Sequence, residues 1–242
     1  MSAAPTNGDT SERVVQATIT LLAEQGPSAI KARSVADASG VSTMAVYHHF
    51  GGIPELMSAV ADHGYSELGC AFAALPTTED PIADLFTMAL TTRRIARDNP
   101  HLYDLMFGLS TRATYRPMAE TPLSGHSPAF RRSYEHLIAA CDRLVRSERV
   151  VPAPPHVVAA ALWSFVHGYI TLELADHFIE FDDPVQQVLL PMGVTFSVGL
   201  GDSPVRAQAS HEAAARRFDA RAKAKRGPSG RAKKAAGRRA AG

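Results

Sequence analysis

The sequence predicts an all-α protein: an N-terminal three-helix unit, a larger helical domain, and a basic, disordered tail. Three observations carry that prediction. Apolar residues recur at helical spacing, and no run alternates with a period of two. Prolines stand directly behind capping residues at Asp80-Pro81, Asn99-Pro100, Ser127-Pro128 and Asp183-Pro184, where the missing proline N–H costs nothing because it would be unpaired anyway. Gly26 and Gly40 fall where helices need a left-handed stop.

The first helix is predicted from about Ser11 to Gln25, with Asp9 as cap and Glu12 at the capping-box position. Val14, Thr18, Leu21 and Leu22, joined by Val15 and Ile19, form its apolar stripe. Two short helices follow, Lys31 to Ser39 and Ser42 to His49, then a longer one from Pro54 to Ala74. The proline signals open helices at Pro81, Pro100 and Pro128, ending near Asp98, Gly108 and Glu148. Thr111 to His126 reads as a loop, with Pro117, Pro122 and Gly125. From Val157 to Leu172 the chain is almost continuously apolar, as long as a short membrane span. Ser164, His167 and Gly168 interrupt that run and no basic flank follows, so a buried core helix is expected and no membrane partner. The last helix starts at Pro184, with Gln186 at its third position, and Pro191 should kink it. Val185, Val188, Leu189, Met192 and Phe196 give it a stripe suited to a dimer four-helix bundle with part of the preceding helix.

The chain has 242 residues, 45% of them hydrophobic, enough for one sizeable core or a small domain joined to a larger one. Its formal charge of +1 conceals an asymmetry. Residues 201–242 hold twelve Lys/Arg against three Asp/Glu, so the body is acidic and the tail basic, an electrostatic signal for a polyanionic partner. The Ala, Lys, Arg and Gly of that tail offer too little apolar area to offset chain entropy, so disorder is expected past Gly227, with a helix over His211 to Lys225 left open. Cys70 and Cys141 lie in apolar stretches and read as small buried hydrophobes of a reducing compartment. No leader pattern stands at the N-terminus. The ten histidines form no metal-ligand spacing, and no nucleophile elbow or phosphate-cradling loop occurs. No cofactor, no metal and no enzymatic activity are expected.

The informative stretch is Arg33 to Phe50. Two short helices crossing at a sharp turn need a small residue where they touch (Ala36), a residue that tolerates positive φ at the corner (Gly40), and an apolar anchor on the second helix (Val46). Val35 and Val41 complete the small core, and Ser42 caps the second helix. Its outward face then carries Thr43, Met44, Tyr47 and His48, a surface suited to the major groove. The pattern alone also fits an ordinary helical hairpin with a glycine corner.

Val35-Ala-Asp-Ala-Ser-Gly-Val-Ser, followed by Ala45-Val-Tyr-His-His-Phe50 and Glu55-Leu56, resembles the helix-turn-helix DNA-binding domain of TetR-family (tetracycline-repressor-like) regulators. A second resemblance lies in Asn99 to Gly108 and in Leu162-Trp163-Ser164-Phe165-Val166-His167-Gly168, which look like the ligand-domain subgroup marked by a Trp…His-Gly signature. The resemblance implies a cytoplasmic, nucleoid-associated homodimer. Its partners would be double-stranded DNA carrying a palindromic operator and a small-molecule effector that releases it. Two departures stand out. The lysine usual at the start of helix four is Ile53 here, and the usual Ser or Thr cap of helix two is Lys31.

The expected domains are therefore 10–53 for DNA binding, 54–200 for ligand binding and dimerisation, and 201–242 as the tail. By the family pattern Tyr47 contacts a phosphate with Lys31, Arg33 and His48 nearby. Ser42, Thr43 and Met44 stand at the base-reading end of the recognition helix. Ala45, Val46 and Phe50 pack, and His49 reads more readily as a packed histidine than as a DNA contact. In the second domain Trp163 and His167, four residues apart, share a helix face. Met88, Tyr103, Met106 and Phe107 could line a ligand cavity with them or simply pack a core. The alternative function is an architectural DNA-binding protein driven by the basic tail, with weak sequence preference.

Overall fold

The computed structural model describes residues 7–107 and 127–226. The predicted loop from Thr111 to His126 and the tail from residue 227 onward lie outside the described residues. Among those described, the fold is helical throughout. The N-terminal unit comprises α1 (Asn7–Gln25), α2 (Ala32–Ser39) and α3 (Thr43–Phe50), with a 3₁₀ turn at Pro27–Ala29. The larger part comprises α4 (Ile53–Ala73), α5 (Pro81–Asp98), α6 (Pro100–Phe107), α7 (Pro128–Arg146) and α8 (Pro155–Leu174), then α9 (Leu190–Gly199) and α10 (Pro204–Arg226).

The proline-led starts follow their sequence signals. Asp80 Oδ1 accepts from the Ala83 N–H at 3.1 Å, Asn99 Oδ1 from the Leu102 N–H at 3.0 Å, and Ser127 Oγ from the Ala129 N–H at 3.1 Å. Four details differ from expectation. Helix α1 begins at Asn7, before its predicted cap. Glu12 makes no capping box, and its Oε1 lies 3.4 Å from His63 Nδ1 on α4. Asp183 Oδ1 does cap the last helix, but the reciprocal bond runs from the Asp183 N–H to the Gln187 side chain at 3.0 Å, not through Gln186. Around Pro191 the disturbance takes the form of a π-helical turn at Val185–Leu189, which spreads the missing proline donor over one wide turn. Cys70 is exposed, whereas Cys141 is buried and its thiol is pushed up to about 12 by that burial.

Two expectations about packing are corrected. Helix α8 is not a fully buried core helix, although its length and composition alone would suit a bilayer span. Val158, Ala159, Val166, Tyr169 and Ile170 are buried, while Val157 and Leu172 are exposed, as is Met192 of α9. Leu189, expected on an open dimer stripe, is completely buried within the chain. Beyond the expected tail boundary at residue 201 the chain forms α10, Pro204–Arg226, whose packed residues lie between Ala207 and Phe218.

That packing uses small residues. Ala207, Ser210, His211, Ala214 and Ala215 of α10 are buried, and His211 lies with its ring 4.6 Å from that of Phe86 on α5. Arg149, after α7, fastens the N-terminal end of α10. Its guanidinium donates to Asp80 at 2.7 Å, Ser210 at 3.1 Å and Asp202 at 2.5 Å. Farther along, Arg94 of α5 sits over the Phe218 ring. Helix α10 therefore runs beside α5 in the same direction, toward α6. One buried cluster runs from Val14, Val35 and Val46 through Tyr65 and Leu68 to Leu144, so the three-helix unit and the larger domain share a core through α4. A second cluster joins α5, α8, α9 and α10.

Candidate DNA interface and effector cavity

The corner between α2 and α3 is built as the sequence requires. Gly40 adopts φ 67°, ψ 33° and its N–H donates back to Ala36 and Asp37, a conformation that a side chain would strain. Ser42 Oγ accepts from the Ala45 N–H at 3.1 Å and fixes the start of α3. Val35, Ala36 and Val46 are buried where the helices cross. This anchoring turns Ser42, Thr43, Met44, Tyr47 and His48 outward together, with Met44 75% and Tyr47 48% exposed. Large apolar groups so open to water on a short helix are unusual unless a partner covers them. Lys31 and Arg33 are exposed at the start of α2, and Lys31 forms no side-chain cap bond. His49 and Phe50 are half-buried, and Ile53 packs against the core at the start of α4.

In the larger domain a small apolar cavity lies among α4, α5, α7 and α8, lined by Phe72, Leu85, Ala89, Thr92, Leu137, Leu162, Trp163, Val166 and His167. A second small space shares the walls Leu85, Ala89, Leu162 and Val166 and extends to Phe196 and His211. Of the six residues anticipated for a ligand site, Trp163 and His167 stand in the first cavity's wall. Tyr103 and Phe107 stand behind it against His167. Met88 and Met106 are not in this wall but buried in the core, Met106 against Gly64 where α4 and α6 approach closely. Except for Thr92, the wall residues missed in the sequence are apolar helix residues whose spacing marks them as core, with nothing to separate a cavity from a filled interior.

The aromatic contacts converge on His167. Its ring centroid lies 4.0 Å from Trp163, 4.3 Å from Phe107 and 5.6 Å from a parallel Tyr103. Tyr134 and Phe130, not anticipated from sequence, meet Trp163 at 5.1 and 5.9 Å. Tyr103 Oη is 2.6 Å from His167 Nδ1, while His167 Nε2 is buried with no partner. Burial disfavours the charged ring and brings its pKa down to about 3, and it pushes the Tyr103 phenol up. Both groups are therefore neutral at physiological pH. Helix α6 faces two ways. Tyr103 and Phe107 touch His167, whereas Met106 O accepts from Tyr65 of α4 and His101 lies against Gly26 at the end of α1.

Comparison with known proteins agrees with this division. Residues 14–60 match the family described as bacterial regulatory proteins, tetR family, and residues 85–191 match the tetracyclin repressor-like C-terminal domain. No curated protein matches the chain. Among solved structures, a protein of unknown function from Rhodococcus sp. RHA1 is similar at 21% identity and TM-score 0.66, covering 80% of this chain and 96% of that one. RolR in complex with resorcinol is similar at 14% identity and TM-score 0.62, covering 85% and 94%. A possible TetR family regulator from Streptomyces coelicolor A3(2) is similar at 17% identity and TM-score 0.52, covering 88% and 99%. The two family matches fall one on the helix-turn-helix and one on the cavity domain, and the chain belongs to the TetR family of DNA-binding transcriptional regulators.

Proposed function

We propose that the protein is a homodimeric, nucleoid-associated repressor that holds a palindromic operator and is released from it by a small, largely apolar effector. The observation that carries this reading is α6, which touches the cavity residue His167 on one side and the end of α1 on the other. A ligand beside His167 that displaces Phe107 or Tyr103 would act on the element that sets the tilt of the three-helix unit. Such a ligand shifts DNA binding only if it binds the two tilts with unequal affinity.

In this reading Tyr47, His48, Lys31 and Arg33 meet phosphates, and Ser42, Thr43 and Met44 meet base edges or the thymine methyl. The recognition helix carries no Arg, Asn or Gln, so strong bidentate readout is not expected from it, and a partner copy supplies the missing specificity. The exposed apolar residues Val157 and Leu172 of α8 and Met192 of α9, two helices joined by the stacked rings of Phe165 and Phe196, support a dimer bundle of α8 and α9. The architectural alternative leaves the aromatic-walled cavity without a role.

Trp163 is the single tryptophan, so its fluorescence reports occupancy directly. Effective inducers should change that signal and lose potency in Trp163→Phe. Inducers that leave the signal unchanged and keep full potency in the variant would place the effector elsewhere.

A further inference from the structure

The second space, between α9 and α10, ends in different chemistry from the first. Its polar side chains are Ser197 of α9 and His211 of α10, and the rest of its wall is apolar, with the rings of Phe86, Phe165 and Phe196. His211 Nδ1 lies 2.8 Å from the Ala207 carbonyl oxygen, one turn back on α10. A carbonyl oxygen only accepts, so the imidazole proton sits on Nδ1 and Nε2 carries a bare lone pair. Burial outweighs the nearby carboxylates Asp80 and Asp202 and holds the ring's pKa below the ordinary histidine value, which keeps it neutral at neutral pH.

The Nε2 edge of the ring faces α9 at Gly193, where a Cβ would lie only 2.6 Å from Nε2. A glycine weakens a helix interior, and here any larger residue would press on the lone pair. No side chain among the described residues donates to Nε2. Ser197 stands one turn after Gly193 on the same face of α9. Buried helix hydroxyls elsewhere in the chain donate to the carbonyl one turn back, Thr18 to Val14 at 2.7 Å and Ser210 to Arg206 at 2.9 Å. The Ser197 hydroxyl is buried and makes no such bond. One end of an apolar space therefore holds a fixed acceptor and an uncommitted hydroxyl.

We propose that this space is a second ligand site, taking uncharged alcohols whose hydroxyl donates to His211 Nε2 while a short apolar chain lies among Phe86, Phe165 and Phe196. Ser197 is the second polar contact for the same ligand oxygen. The site does not rest on the effector reading of the first cavity, whose Trp163 and His167 it does not include. An ether of the same formula brings no proton and leaves the lone pair unpaired. A carboxylate only accepts, and it would lose its hydration in a wall with no charged side chain.

The test is a calorimetric titration of the full-length protein with n-hexanol, its isomer methyl pentyl ether, and hexanoate. It is paired with the imidazole nitrogen spectrum of histidine-labelled protein, the His211 signals being assigned through their contact with the Phe86 ring. The alcohol should bind at least about tenfold more tightly than the ether, a difference of about 1.4 kcal/mol, and hexanoate should not compete. Before ligand is added His211 Nε2 should appear unprotonated, and the alcohol alone should shift it. In His211→Phe the ratio of alcohol to ether affinity should fall toward one; the native spectrum decides the matter if that variant does not fold. A proton on Nε2, equal binding of alcohol and ether, or no binding of the alcohol overturns the proposal. A Trp163 fluorescence change with His211 Nε2 unmoved would place the alcohol in the first cavity and overturn the second site.

Discussion

On the recognition helix, neighbouring side chains have different reach and therefore different tasks. Tyr47 ends in a hydroxyl at the outer edge of α3, whereas Thr43 and Met44 sit at its N-terminal end, which leads into the groove in this class of docking. Tyr47→Phe should weaken binding to all sequences alike, by about the 0.5–1.5 kcal/mol of one lost hydrogen bond. Thr43→Ala or Met44→Ala should change which bases are preferred. Selection from a randomised DNA library decides between them: base preference unchanged in both α3 variants would remove these residues from readout. His167 gives a second prediction at this scale. The unfolded chain binds its proton near pH 6.5 and the native chain only near pH 3, so the unfolded state holds more protons in that interval. The contribution to stability is complete above about pH 6.5 and is lost as pH falls toward 3. Denaturant midpoints followed from pH 7 to pH 4 should fall less steeply in His167→Phe than in the native protein. Parallel slopes would contradict the buried, neutral ring.

At the scale of elements, the helix-turn-helix was readable because each of its constraints needs a particular residue. A positive φ needs Gly40, a close crossing needs Ala36, and an open first turn needs the Ser42 hydroxyl. Helix α10, left open over His211 to Lys225 by the sequence, was only partly readable for the opposite reason. It packs through Ala207, Ala214 and Ala215, side chains too small to mark an apolar stripe, and it is fastened by Arg149, which nothing local ties to it. The cavity was half readable: the Trp163–His167 pair follows from helical spacing, while its wall depends on which side chains fail to meet. The fastening of α10 can be tested. Arg149 is 8% exposed and one of its partners, Asp202, is wholly buried. Arg149→Ala leaves that carboxylate only the exposed Arg206, 3.9 Å away, and should cost about 3 kcal/mol in chemical denaturation. A loss under about 1 kcal/mol would mean that α10 is held by other contacts.

For the molecule as a whole, α10 runs beside α5 toward α6 and carries exposed cations in its last turns. The exposed Arg216, Arg217, Arg221 and Lys223 begin that charge run, and five more Lys/Arg follow Arg226. With Ile53 at the start of α4 and an acidic body, we propose that this charge run contacts flanking DNA. If about four of the later charges engage, counterion release costs about a hundredfold in affinity between 50 and 200 mM salt. Truncation after Arg226, which keeps α10 intact, should give a shallower salt slope with unchanged base preference. Identical slopes would leave the segment out of the binding mechanism.

The central claim is that two copies of one short, weakly equipped recognition helix read a symmetric site. Sequencing the DNA retained by the full-length protein from a fully randomised pool tests it most directly. A dimer of such helices should enrich one motif with two-fold symmetry, its half-site centres about one turn apart, roughly 34–36 Å along the duplex or a little more. An enriched motif without symmetry, or retention with no enriched motif at all, would contradict it.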